Sequence, residues 1–232
     1  WSSSYYQTNY EKNLEENFGF RNDLVRLNNQ LDYSIFRKSN SNEVVIGKKG
    51  YLFQQGYIDA YLGKKSLTED GMQQQLNVLQ QLSDSIEKHD TKLVVVLAPG
   101  KASFFPEYLP SFDFKKTKNN YEKILALKNN YTYDIVDLNA EFLNLKNNTQ
   151  YPLYSQQGIH WTNYGAYLGM DKLIKHIEAK TKINLPDYHV AGFIEAIKPN
   201  TDYDLGELLN VIYGLPHYRT FQPKIVNDSN IQ

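Results

Sequence analysis

The chain has 232 residues, with 25 basic and 26 acidic side chains and a formal charge of −1, a balance that excludes the clustered cations of a protein gripping nucleic acid. Its 41% hydrophobic and 14% aromatic content is enough for a sizeable core and too apolar for a disordered tail, although mean hydropathy is −0.58. No apolar run of about 18 residues is present to span a bilayer, and the absence of cysteine removes disulfides, thiolate nucleophiles and cysteine-based metal sites.

From Asn22, Leu24, Leu27, Leu31 and Ile35 recur at helical spacing behind a Phe18-Gly19-Phe20-Arg21 start, which predicts an amphipathic helical arm over residues 1–42. Val44-Val45-Ile46 and Tyr51-Leu52-Phe53 flank Gly47-Lys48-Lys49-Gly50, the pattern of a hairpin. Thr68 to His89 carries Met72, Leu76, Leu79, Leu82 and Ile86 on one helical face and leads into Leu93-Val94-Val95-Val96-Leu97, an apolar run expected to be a strand buried on both faces. A helix around Tyr121 to Asn130, a strand around Tyr133 to Leu138 and a helix from Asn163 to about Lys180, with Ala166, Met170, Leu173 and Ile177 inward, continue the alternation. Such alternation predicts an α/β domain with a largely parallel sheet over residues 43–232. Beyond Ile183 the pattern weakens, leaving Asp202 to Tyr213 as a short helix and Lys224-Ile225-Val226 as the start of a strand. The 19 tyrosines are read mainly as core, each a flat apolar ring with a hydrogen-bonding tip.

Ligands of an open α/β sheet sit beyond the carboxyl ends of its strands, so the segments after Leu97 and Leu138 are where chemistry is expected. The first, Ala98-Pro99-Gly100-Lys101-Ala102-Ser103, is a tight turn that projects Lys101 and Ser103 near the crevice. The second ends in Gly158-Ile159-His160-Trp161-Thr162-Asn163-Tyr164-Gly165. Thr162 suits the N-cap of the next helix, which puts His160 just before a positive helix end, a place that favours a neutral imidazole able to act as a base. His89, His176, His189 and His217 have no evident partners, and neither metal-ligand spacing nor a phosphate-cradling glycine motif appears. No cofactor is expected.

Taken in order, Phe18-Gly19-Phe20-Arg21 with its helix, Gly47-Lys48-Lys49-Gly50-Tyr51-Leu52-Phe53, Ala98 to Ser103 and His160-Trp161-Thr162 resemble the alginate O-acetylation proteins of the AlgJ and AlgX type, in the SGNH-hydrolase-like superfamily. The resemblance implies a three-layer SGNH-like domain in a periplasmic or otherwise extracytoplasmic, often membrane-anchored protein. Such a protein moves acetyl groups onto a polysaccharide beside a multi-pass membrane O-acyltransferase, using a Ser-His-Asp triad. With that resemblance His160 is expected to be the catalytic base; Lys101, Ser103 and Thr162 are expected near the pocket from their place in the strand-end loops, with Trp161 and Tyr164 framing it or stacking on a sugar. Two departures stand out. The aspartate expected two residues before the histidine is Gly158, which leaves the ring to be oriented by another carboxylate, with Asp204 and Glu207 as candidates, by a backbone carbonyl, or not at all. The nucleophilic serine of a Gly-Asp-Ser turn has only Asn227-Asp228-Ser229 as a near match, so the nucleophile is expected beyond Gln232. A non-catalytic polysaccharide-binding or scaffold subunit and a carbohydrate esterase remain as alternatives.

Overall fold

A computed structural model describes residues 3–185, 190–196, 202–216 and 219–226. Two helices, α1 (Ser3–Asn17) and α2 (Arg21–Phe36), form the arm; α2 stops where Arg37 adopts a left-handed conformation with φ 52°. β1 (Val44–Ile46) and β2 (Leu52–Gln54) pair antiparallel as expected, joined by a single 3₁₀ turn at Lys48–Gly50. α3 (Gln55–Leu62) follows directly. α4 (Glu69–Glu87) is capped by the Thr68 side chain, which accepts from the Gly71 N–H. β3 (Val94–Leu97) then runs parallel to β4 (Asp134–Asp137), with α5 (Lys101–Phe104) and α6 (Asn120–Leu127) between them. α7 (Leu138–Leu145) starts directly after β4, whose last residue Asp137 caps it, and α8 (Asn163–Thr181) is capped by Thr162. β5 (Val190–Glu195), α9 (Asp204–Leu208) and β6 (Phe221–Ile225) complete the described elements, β5 and β6 pairing antiparallel.

The α/β class is as expected, whereas the sheet is smaller: the described residues form three two-stranded sheets, of which β3–β4 alone among them is parallel. β3 is not covered on both faces, since Val96 is 36% exposed; its β-branched run reports strand propensity, which is independent of how many layers cover it. On α8 the buried side is Tyr164, Gly165 and Gly169 rather than the stripe through Met170, which is 54% exposed. Small residues let this helix approach closely. A Cβ on Gly165 would lie 2.6 Å from the Leu153 carbonyl oxygen, closer than any real contact. A helix opens soon after each of the two strands, α5 after the tight turn at 98–100 and α7 on Leu138 itself, and the predicted helix from Asp202 contracts to Asp204–Leu208. His189, His217 and Asp228-Ser229 fall outside the described residues.

Period two divides the core at β2. Leu52 packs with Val44, Leu205, Leu209 and Leu215, while its neighbour Phe53 points the other way, to Ile58, Leu62, Ala102 and Leu109. α5 then bridges to a third, aromatic cluster, because Ala102 belongs to the second and Phe104 packs with Phe142, Leu153, Tyr154 and Tyr164. The arm contributes little to these clusters. Leu24, Leu27, Leu31 and Ile35 on α2 are all exposed, and Tyr33 alone packs against the first cluster. Replacing the fully buried Phe142 by Ala is therefore expected to lower the unfolding free energy by about 3–5 kcal/mol, against a change within about 0.5 kcal/mol for Leu31→Ala, both measured by urea denaturation.

Candidate active site

The segment from Tyr154 to Trp161 is a loop closed at its base, where these two residues form an antiparallel bridge and the Thr162 N–H donates to the Leu153 carbonyl at 2.9 Å. Residues 153–158 are buried, so every peptide group there needs a partner or costs free energy. The partners come from three directions. From β2, the Leu52 N–H donates to the Gln156 carbonyl at 2.9 Å; from α9, the Leu205 and Gly206 N–H groups donate to the Gln157 carbonyl at 3.1 and 3.2 Å. From below, Lys101 Nζ donates to the Gln156 carbonyl at 2.9 Å and the Gly158 carbonyl at 2.7 Å. Ser155 Oγ accepts from the Gly158 N–H and donates to the Asp202 carbonyl.

His160 stands at the end of this tethered loop with its side chain 56% exposed, and its Nε2 lies 3.8 Å from Asp204 Oδ2. The other oxygen of that carboxylate, Oδ1, accepts from the Ile159 and Leu205 N–H groups, each at 2.8 Å. Asp204 thus fixes the backbone beside the histidine and faces its ring. Of the two carboxylates expected near the ring, Glu207 is exposed and makes no contact with His160. No serine hydroxyl hydrogen-bonds to the His160 ring among the described residues.

Lys101 is adjacent to the site yet closed to a ligand. It is 1% exposed, and its Nζ lies 5.5 Å from the Phe53 ring centre and 5.9 Å from that of Tyr51. Burial drives its pKa down to about 7, with the Asp204 charge opposing the shift. Ser103, half-buried on α5, bonds through its backbone to the Gly100 carbonyl. Trp161 packs its ring 5.4 Å from Phe142, and Thr162, 1% exposed, donates to the Pro152 carbonyl and caps α8. Tyr164 is buried edge-on against Tyr151 and Phe193. These three residues seat α8 in the aromatic cluster, and the Tyr164 ring offers no free face to a sugar.

Two features escaped the sequence. His176 has a partner after all, with Nε2 3.6 Å from Asp134 Oδ2, a carboxylate that Lys180 also holds at 2.8 Å. Asp202 is 7% exposed, and its carboxyl is pushed up by burial and by the neighbouring Asp204 charge. Its place in a short polar segment carried no periodicity that would have marked it as buried. Among the described residues no group of three or more His, Asp or Glu side chains is placed to hold a metal ion.

Residues 44–228 match the family model described as the SGNH hydrolase-like domain of the acetyltransferase AlgX. The chain is 23% identical over 155 residues to the probable alginate O-acetylase AlgJ of Pseudomonas putida, an alignment that covers 66% of this chain and 38% of the relative. The solved O-acetyltransferase domain of P. putida AlgJ is similar with a TM-score of 0.54 at 20% identity, covering 79% of this chain and 64% of that one. Pseudomonas aeruginosa AlgX is similar with a TM-score of 0.52 at 16% identity, covering 85% and 49%. The chain thus spans less than two thirds of the length of these relatives, and at such identities the structural likenesses speak for the fold. With the family match running from β1 past β6 across the histidine loop, and the same fold found in both solved relatives, this chain belongs to the AlgX-type family of SGNH hydrolase-like acetyltransferase domains.

Proposed function

We propose that the chain is the SGNH-like part of an enzyme that transfers acetyl groups to hydroxyls of an extracytoplasmic polysaccharide, with His160 as its general base. The observation that carries this reading is the exposed imidazole on a backbone tied down from three sides, with the Asp204 carboxylate 3.8 Å from Nε2. In a triad the carboxylate orients the ring and stabilises the imidazolium. Asp204 takes that part here, in place of the aspartate that the family resemblance puts at Gly158.

The nucleophile is a serine outside the described residues. Its hydroxyl proton passes to the free ring nitrogen as its oxygen attacks the acetyl carbonyl; the donor's alcohol leaves with that proton, and an acetyl-serine remains. A sugar hydroxyl then gives its proton to the same nitrogen, takes the acetyl group and frees the serine, whose oxygen regains the proton. The setting is outside the cytoplasm, and the donor is presented by a multi-pass membrane acyltransferase. The names of the relatives and the family support the acetyl transfer, whereas the setting and the membrane partner rest on the motif resemblance alone; no helix among the described residues is long and apolar enough to cross a membrane.

His160→Ala in the full-length protein is expected to cut release of acetate from an acetyl ester by about 10²–10⁴-fold, the usual worth of a positioned base. Asp204→Asn should cost tenfold or more by loosening the ring. Undiminished turnover in His160→Ala would remove the base, whereas polysaccharide binding without any ester cleavage by the wild-type full-length protein would leave the non-catalytic reading, which Gly158 at the family's aspartate position favours.

Lys101 acts on this chemistry as a positioning residue, since it holds two carbonyls of the loop and touches no reacting atom. Its pKa falls from 10.5 unfolded to about 7 in the fold. Between these values the unfolded chain binds the extra proton, so stability rises with pH across that window and the slope vanishes below it. One such group contributes at most about 1.4 kcal/mol per pH unit. Lys101→Met is expected to flatten this rise in urea-denaturation midpoints and to lower kcat for the acetyl ester. Parallel pH profiles for wild type and variant would show that the amine does not titrate as described.

A further inference from the structure

Among the described residues Asp202, just before α9, is the only buried carboxyl group, and no step above uses it. Neither of its oxygens has a hydrogen-bond partner. Thr220, the residue before β6, is 2% exposed, and its Oγ1 is unpartnered as well. The two side chains are neighbours: burial and the Asp204 charge push the Asp202 carboxyl up, and the nearby Thr220 hydroxyl opposes them. Native interiors rarely leave three such atoms idle.

A carboxylate buried without a donor is among the costliest groups a fold can carry. The groups around Asp202 do not neutralise it. Thr220 and, from the histidine loop, Ser155 are uncharged, while Asp204 is negative. Lys101, which feels the Asp204 charge, spends its Nζ on the Gln156 and Gly158 carbonyls. Two carboxylates in one place do not both ionise without cost, and the one lacking donors keeps the proton. Asp204 has donors in the Ile159 and Leu205 N–H groups, so the proton belongs to Asp202. A neutral acid both donates and accepts, and so does the hydroxyl it faces.

We infer that Asp202 is a positioning residue for His160: as the neutral acid it donates to Thr220 Oγ1 and so fixes the start of α9, which carries Asp204. The inference rests on the acyl-transfer reading above. The backbone of Asp202 is tied the other way, since its carbonyl accepts from Ser155 Oγ at 2.8 Å and that oxygen accepts from the Gly158 N–H at 2.7 Å. Thr220 is rooted in the β5–β6 hairpin, where its carbonyl accepts from the Ala196 N–H at 2.9 Å. Asp202 thus joins the hairpin to the histidine loop, two residues before the carboxylate that faces the ring. With Asp202 neutral, Asp204 is the charged member of the pair, and the ring meets one oriented carboxylate.

Variants separate a neutral acid from a carboxylate and from mere filling. Asp202→Ala is expected to lower kcat of the full-length protein for an acetyl ester about tenfold, with KM within about twofold. In the same variant the Ile159 amide, held by Asp204 Oδ1, should exchange with solvent about tenfold faster by NMR. Asp202→Asn keeps the shape and the donor, and should restore both to within about threefold of wild type. If Asp202→Ala does not fold, Thr220→Val removes the acceptor instead and should shift both readouts by about threefold or more in the same directions. The folded chain keeps a proton that the unfolded chain releases above 3.8. Wild type should therefore lose stability relative to Asp202→Asn in urea midpoints as pH rises from about 4 to 7, below the window of Lys101. Asp202→Asn as impaired as Asp202→Ala, or Asp202→Ala equal to wild type, would overturn the inference. So would a pH-independent gap between wild type and Asp202→Asn, or added calcium that stabilises wild type alone, which would mark a cation in place of the proton. A full-length wild type that cleaves no acetyl ester sinks the acyl-transfer reading, while amide exchange and urea midpoints still decide for or against Asp202.

Discussion

The structure around the histidine depends on one buried amine. Lys101 enters the core from the first residue of α5 and spends its Nζ on two carbonyls of a loop that has no regular secondary structure of its own. A buried loop is stable only if its peptide groups are satisfied, and here the peptide N–H groups of β2 and α9 and the side chains of Lys101, Ser155 and Asp204 together satisfy them. The lysine is also where the core clusters meet, since it follows β3, lies by Phe53 of the second cluster and precedes Phe104 of the third. An amine at that junction costs desolvation, seen in its lowered pKa. A hydrocarbon there would leave two buried acceptors without donors, each worth about 1–3 kcal/mol.

Elements with strong periodicity were legible in the sequence. The α2, α4 and α8 helices and the β1, β2, β3 and β4 strands stand within a few residues of where their apolar spacing put them, because period and propensity are local signals that hold even where, as on α2, the apolar face stays exposed. What escaped was short or mixed. α5 is a single turn and α7 only eight residues, too few for a stripe to show. β5 carries Gly192 at φ 145° and a register shift before Phe193, which argue against a strand in a reading of one sequence, and β6 begins at Phe221, before the strand start read at Lys224, because Pro223 hid its first half. Exposure followed the same logic. Met170 was assigned to the inner face by spacing, yet close approach through Gly165 and Gly169 turned α8 so that its small side faces inward.

The candidate site was legible in part. His160 and Thr162 could be found because a cap and a helix start are local signals, and Asp204 because carboxylates cluster in the Asp202–Glu207 segment. The true place of Lys101 could not be read, since an amine three residues beyond Ala98 can point to solvent or to the core with the same sequence. The part played by Asp202 was hidden differently. Its neighbour Thr220 comes from the chain entering β6, and only the fold brings the two buried side chains together. A nearly neutral composition therefore coexists with a buried acid beside a charged one, because charge balance is a sum and protonation follows the local arrangement.

Gly158 poses the remaining question, since the resemblance puts an aspartate there. A carboxylate two residues before the histidine would orient the ring from its own loop, so the loop and the ring would move together. Asp204 reaches the ring from another element, and its two oxygens divide the work: Oδ1 holds the Ile159 and Leu205 N–H groups while Oδ2 faces the imidazole. The Gln157 carbonyl accepts from Leu205 and Gly206 in the reverse direction, so α9 and the loop are stitched by hydrogen bonds running both ways. A carboxylate with one oxygen anchored to two backbone donors loses little further freedom when the other meets an imidazolium. Orientation supplied across two elements is then available without a carboxylate at position 158, whose own carbonyl is already held by Lys101.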